Sequence, residues 1–373
     1  MASAHAEAQS TPRLMSSRPK IDFAVGGQAV IEGVMMRSPN FITVAVRKSQ
    51  GNIKLKDETF RAMSARIKFF GIPIVRGVVN LFEMMVIGMR MLNFSGAEAM
   101  DEEASATMSS SGKATAASAS LGEASTVAAS TASTVAPTAS TDKNTTATKL
   151  KTFLSFGISL VFALGMSLFL FKFLPLYLTD LLSKNFELLR TNYLVYNFID
   201  GIIKMTFFIT YIGLLGMTPS MHRVFQYHGA EHKSIYTYEK GLALNVENAK
   251  KMTRFHPRCG TSFILVVFLL SIFIYTFVPK HPIFWMNFLT RVAFLPIIAG
   301  VSYEILKWSA KHAEKPLVKL ITLPGLLFQR ITTQEPDESQ LEVALSALRK
   351  ALDLEEQRLE AVPVLGLSQT DVP

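Results

Sequence analysis

Cysteine is almost absent from this chain, and so is charge. Cys259 is the single cysteine in 373 residues, so no internal disulfide can form and a disulfide-stapled scaffold is excluded. Charged residues make up 18%, against about 25% in average soluble domains. That shortage argues against an ordinary soluble enzyme, and the 49% hydrophobic content argues against a disordered chain. Residues 1–20 hold Arg13, Arg18 and Lys20 but no apolar run. No cleavable signal peptide is therefore expected, and the segment reads as a disordered N-terminus. The glycines of residues 26–37 lack the Lys-Ser/Thr ending of a phosphate-binding loop.

What the sequence does have is long apolar runs. Thr152–Phe171 and Thr261–Val278 carry no charge, and Gly201–Met217 carries one lysine. Val292–Trp308 is apolar but contains Pro296 and Glu304. A bilayer core takes roughly 20 apolar residues in a helix, so these four predict a polytopic α-helical membrane protein with four spans over residues 149–310. The net charge of +9 is distributed unevenly. Seven Lys and Arg fall in the loop 219–260, from Arg223 to Arg258, against Lys184 and Arg190 between the first two spans. Basic loops stay on the cytoplasmic side. The loop 219–260 and both termini are accordingly expected in the cytoplasm, with the chain in the cell (inner) membrane. The bilayer is its expected partner, together with other membrane proteins, and nucleic acid is not needed to explain the basic balance.

Outside the spans, residues 21–94 divide into two parts. Ala29–Arg37, Phe41–Arg47 and Ile53–Lys56, separated by turn signals at Ser38-Pro39-Asn40 and Ser49-Gln50-Gly51-Asn52, predict a small N-terminal antiparallel β-meander. Ile74–Leu92 predicts an amphipathic helix whose narrow polar stripe is Arg76, Asn80, Glu83 and Arg90. The stripe faces either solvent or a polar internal site. Residues 95–148 contain 36 Ala, Ser or Thr in 54 positions and no aromatic. Such a segment cannot bury enough apolar surface to fold and reads as a disordered linker. In residues 311–373, Pro316–Arg330 predicts an interfacial segment broken at Pro324-Gly325. Asp337–Leu359 predicts a C-terminal amphipathic helix with Leu341, Ala344, Leu345, Leu348 and Leu352 on its buried face.

The chemistry-bearing motif is Tyr227-His228-Gly229-Ala230-Glu231-His232-Lys233. Two histidines four apart on a helix share a face and can reach one divalent metal, zinc being the expected ion. Glu231 beside the second histidine is placed to act as general base on a water. His256 and Cys259 add an imidazole and a thiol at a common ligand spacing in the same loop. Glu304, an acid near a span end, is costly unless paired or ligating. A site of His228, His232 and Glu304 would be open and catalytic. Adding His256 and Cys259 would close it into a structural one. Cys259 as a nucleophile with His256 as base is a further possibility. Arg37, Arg76 and Arg258 are candidate binders of an anionic substrate group. Glu32, odd in an apolar strand, is expected to pair with Arg37 or with the stripe that includes Glu83. Asp200 and Lys204 read as a salt bridge, and Arg291 as snorkelling to the interface. Two other classes compete with a hydrolase: a membrane scaffold or assembly factor with a structural metal or none, and a transporter with a polar path.

Several segments resemble one family. GGQAVIEGVMMR (26–37), Arg76-Gly77, YHGAEHK (227–233), HPRCGTSF (256–263), SYE (302–304), PGL (324–326) and TTQEPDESQLEVAL (332–345) are similar, in order, to motifs of the YqhQ-like family of bacterial membrane proteins, domain of unknown function 1385. That family is regarded as metal-dependent enzymes without an established reaction. The resemblance implies a metal near His228, Glu231, His232, His256 and Cys259, and names no substrate.

Overall fold

The computed structural model describes residues 25–48, 50–111, 158, 161–312 and 315–364. The expected N-terminal tail and most of the expected linker lie outside the described residues.

Four strands form an antiparallel meander in the order β1 (Gly26–Val30), β2 (Gly33–Arg37), β3 (Phe41–Arg47) and β4 (Ile53–Thr59). The meander is as expected, but the stretch predicted as one strand over 29–37 folds back on itself at Ile31-Glu32, with Glu32 at φ 50°. Both faces of the sheet are covered, which is why β2 and β3 are buried almost throughout and show little polar alternation. On one face Val30, Met35, Val44 and Val46 pack with Ile87 and Met91. On the other, Val34, Met36 and Ala45 pack with Tyr227, Ala230 and the C-terminal helix. Glu355 of that helix accepts from Ser38 Oγ at 2.7 Å and from Asn40 N at 2.7 Å, so the Ser38-Pro39-Asn40 turn is held by a buried acid.

Helix α1 (Val75–Ser111) runs through the predicted amphipathic segment and on to Ser111. Each residue of its polar stripe has a partner, although Arg90 remains exposed. Arg76 forms a two-pronged pair with Glu304, Nε to Oε1 at 2.7 Å. Asn80 reaches the Tyr303 hydroxyl at 2.9 Å, Glu83 accepts from Met63 N, and Arg90 pairs with Glu58.

Four apolar helices and one polar helix follow: α2 (Val161–Asn185), α3 (Tyr193–Gly216), the polar α4 (Pro219–Glu239), α5 (Gly260–Thr276) and α6 (Phe284–Ser309). Helices α2, α3 and α6 are long and apolar enough to cross a membrane. Large apolar side chains such as Phe162, Leu214 and Leu289 point outward from them, as lipid-facing surfaces require. The remaining predicted span, α5, has 17 residues. At 1.5 Å per residue that is about 26 Å, short of the ~30 Å hydrocarbon core. Three helices among the described residues thus have the length of a span, and the shorter apolar α5 packs among α3, α6 and α7 (Pro316–Thr332).

Helix α7 continues through Pro324, where a break was expected. Gly325 sits so close to α5 that a Cβ would lie 2.7 Å from Ser262 Oγ. Close packing there holds the helix across the proline. The C-terminal helix α8 (Glu338–Val364) buries the predicted leucine and alanine face. It opens on a reciprocal cap: Asp337 Oδ1 accepts from Gln340 N at 2.8 Å, and Gln340 Oε1 accepts from Asp337 N at 3.0 Å.

Candidate metal centre

Helix α4 starts where Thr218 is extended and Pro219 takes the first helical position, the place where a missing N–H costs nothing. Its sheet-facing side buries Tyr227 and Ala230. The opposite side carries His228 and His232, with ring centroids 4.5 Å apart. Cys259 stands at the N-terminal boundary of α5, and its sulfur accepts from Thr261 N at 3.3 Å. The turn before α5 brings this sulfur to the histidine pair. The ligand atoms of His228, His232 and Cys259 all lie within 4.8 Å of one another.

The tautomers follow from the partners. His228 Nδ1 is 2.7 Å from the carbonyl of Thr332, and His232 Nδ1 is 2.5 Å from that of Arg254. A carbonyl only accepts, so each Nδ1 carries the proton and each neutral ring offers its Nε2 lone pair. His228 Nε2 points at Cys259 Sγ, 3.1 Å away. His232 Nε2 is buried and meets no hydrogen-bond partner. Backbone carbonyls that fix Nδ1 and free Nε2 are the usual outer support of ligating histidines. Burial pushes the His232 imidazole below its ordinary range, which keeps it neutral.

Glu231 is buried, with Oε2 3.9 Å from His228 Nε2 and 4.0 Å from His232 Nε2. Burial raises its carboxyl above the usual range, opposed by the nearby His228 and His256 and by the N–H of Gly27. Gly27 is glycine for a steric reason. A Cβ there would come within 2.7 Å of the Glu231 side chain and 2.8 Å of the Met35 carbonyl. The glycine-rich first strand thus closes over the acid of the histidine motif.

The other predicted residues are placed elsewhere. His256 lies against His232, ring centroids 5.6 Å apart, but both its nitrogens are engaged: Nε2 with Glu239 at 3.3 Å, Nδ1 with Arg258 N at 3.3 Å. Burial lowers its pKa to about 4. The imidazole beside the Cys259 sulfur is that of His228, so the thiol and His256 do not form a nucleophile–base pair. Glu304 is tied to Arg76, and Arg258 to Glu239. Arg37 makes no ion pair among the described residues. Its Nη1 donates to Met84 Sδ at 3.0 Å, its guanidinium lies over Phe60, and it borders a pocket of about 330 Å³ with Gly26 and Gly27. Glu32 pairs with Arg223, not Arg37, and also accepts from the Tyr227 hydroxyl. A cleft of about 720 Å³ opens on the far side of His256, between Tyr236, Arg258, Thr322 and Leu323.

Sequence reasoning missed the supporting layer. Gln329, fully buried, clamps the His256 backbone through both its amide atoms. Arg254 reaches the Thr333 carbonyl at 2.6 Å. Gln334 N donates to the Phe225 carbonyl at 2.8 Å, which lays the 332–336 segment across α4. Only the run of Thr332-Thr333-Gln334-Glu335-Pro336 between two helices hinted at this contact.

The assembly is a mostly helical protein, with three helices long and apolar enough to cross a membrane, in which one helix packs a small sheet on one side and carries a histidine–histidine–cysteine trio on the other. The family model described as protein of unknown function, DUF1385, matches residues 72–354, and the chain belongs to that family. The uncharacterized protein YqhQ of Bacillus subtilis (strain 168) is 33% identical over 343 residues, covering 91% of this chain and 95% of the relative. No solved structure matches the chain.

Proposed function

We propose that the protein is a metal-dependent hydrolase with its site at the cytoplasmic face of the membrane. The observation that carries this reading is the trio itself: two Nε2 lone pairs and one sulfur converge, and one of those nitrogens is buried without a partner. Two nitrogens and a sulfur suit zinc, and three protein donors leave the fourth position that catalytic zinc sites keep open. When bound, a divalent ion would polarise a water and the group under attack. Glu231 would take the proton of a water held there. Its buried carboxylate lies beside both nitrogens but outside the trio, as a base requires. Arg254, Thr332 and Gln329 orient the ligands and hold the loop.

Burial of His232 and Cys259 favours a second reading, a structural ion in a membrane scaffold. Elemental analysis of the detergent-purified chain tests the first requirement of both. About one zinc per chain is expected, and a metal-free protein would remove the hydrolase reading.

The orientation rests on the seven Lys and Arg of loop 219–260, with α5 read as a short fourth crossing beside the three longer helices. Four crossings keep both ends in the cytoplasm, at the cell (inner) membrane. Lys240 is exposed at the end of α4. In intact cells a Lys240→Cys chain is expected to resist an impermeant thiol reagent added outside and to react after permeabilisation. Labelling from outside would place the trio on the other face.

A further inference from the structure

The membrane helices contain a second constellation that uses no residue of the metal centre. Asp200 and Lys204 lie 7 and 11 residues into α3, and Lys204 is about 17 Å from either end of that helix at 1.5 Å per residue. Both are almost fully buried. Arg291 was expected to snorkel, yet it turns inward, is 5% exposed, and donates to Asp200 and to Asn197. Lys204 also pairs with Asp200. From α2 comes Lys172, carried on a π-helical turn, Phe169–Phe173. Such turns are rare and are frequent at functional sites.

These cations gather on one ring. Lys172 Nζ is 5.3 Å from the Tyr275 ring centroid, Lys204 Nζ 5.4 Å and Arg291 Cζ 5.4 Å. Tyr275 is locked in place, its hydroxyl on the Arg291 carbonyl at 2.6 Å and its own carbonyl on Asn197 Nδ2 at 2.6 Å. Against three cations stands one carboxylate, Asp200. The nearby Lys280 has its own partner, Asp180, at 3.7 Å. Basic groups thus outnumber acidic ones in the cluster, and Lys172 has no carboxylate partner among the described residues. Two buried polar atoms beside it, Asp200 Oδ1 and the Tyr196 hydroxyl, also have no protein partner.

Uncompensated charge at this depth is costly, and ionisable groups kept there commonly serve a ligand. We infer that Lys172, Lys204 and Arg291, gathered around Tyr275, form an intramembrane site for a phosphate monoester. The charge decides the class. A phosphate monoester carries about −1.5 to −2 at neutral pH and can pair with several basic groups at once, whereas a carboxylate or phosphodiester supplies only one charge. Weakly hydrated arginine and two lysine point charges suit such an anion, and the Tyr275 ring holds the three cations together. The group can arrive on a lipid headgroup or as free phosphate.

The test uses the full chain purified in dodecyl maltoside, with thermal unfolding read by tryptophan fluorescence. Short-chain phosphatidic acid is expected to raise the unfolding temperature, and the matching phosphatidylcholine is not. Lys172→Gln removes a cation without orphaning a carboxylate, so the fold is expected to persist while apparent affinity falls about tenfold or more. Lys172→Arg is expected to retain binding, and Lys184→Gln, an exposed lysine of the same helix, to leave it unchanged. Stabilisation by phosphatidic acid alone assigns the site to a lipid headgroup. Stabilisation by inorganic phosphate as well assigns it to the free anion. If neither exceeds phosphatidylcholine, or if Lys172→Gln binds as the wild type does, the proposal is overturned.

Discussion

Replacing His232 with alanine is expected to strip the metal from the purified protein, while Glu231→Gln keeps it and abolishes turnover. The two residues are adjacent and both buried, so burial alone does not separate them. Their directions do. His232 Nε2 faces the trio with no other partner, its Nδ1 held by the Arg254 carbonyl. Removing one of three donors leaves a site too weak to survive purification. Glu231 approaches both nitrogens only to 3.9 and 4.0 Å. Glutamine keeps its shape and its contact with Gly27, so the ligands stay in place. Losing a general base costs roughly 10²- to 10⁴-fold in rate. His256→Gln supplies a third arm. Because both His256 nitrogens are occupied outside the trio, metal content is expected to remain near the wild type. Elemental analysis reads all three variants, with circular dichroism as the check on folding. Glu231→Gln losing metal as completely as His232→Ala would make Glu231 a ligand and end the general-base assignment.

That contrast between His232 and His256 marks how far the sequence was legible. Local periodicity was enough for His228 and His232, which share a face because they are four apart on a helix. It was enough as well for the buried side of α8, where Leu341, Leu345 and Leu348 lie within one amphipathic repeat. Most of the meander followed from turn residues. What escaped was set by partners distant in the chain. Arg76 and Glu304 are 228 positions apart, and neither side chain announces the other, so each looked available for substrate or metal. His256 and Cys259 share a spacing common to metal ligands, but a turn points them apart, and the sulfur meets His228 instead. Arg291 was misread because snorkelling is the ordinary fate of an arginine near a span end. Asp200 and Asn197, on another helix, give it a buried alternative. The helical stretch from Ser95 to Ser111 begins in a segment whose composition favours no packed core. Continuity with the well-packed first half of α1 extends the helix into it.

Gly229 offers the most demanding check on the way the site is supported. It lies between His228 and His232 on α4, and the 332–336 segment crosses it so closely that a Cβ would sit 2.1 Å from the Gln334 carbonyl oxygen. The obstacle is backbone, so no side-chain rotation relieves it. The segment has little room to retreat. Gln334 N is bonded to the Phe225 carbonyl at 2.8 Å, and Thr332 O holds His228 Nδ1 at 2.7 Å. Gly229→Ala is therefore expected to act twice. Overpacking of this kind costs about 1–3 kcal/mol or more, seen as a lower unfolding temperature. Release of the Thr332 carbonyl from His228 is expected to weaken metal binding by roughly 10- to 100-fold, as loss of an outer-shell partner does. Gly213→Ala is the matched control. It sits in α3 with nothing within 4 Å of the added methyl, and alanine in a helix interior is favoured over glycine by about 1 kcal/mol. Its stability is expected to hold or rise, with metal affinity unchanged. If Gly229→Ala binds metal and unfolds as the wild type does, the crossing segment is not what orients His228.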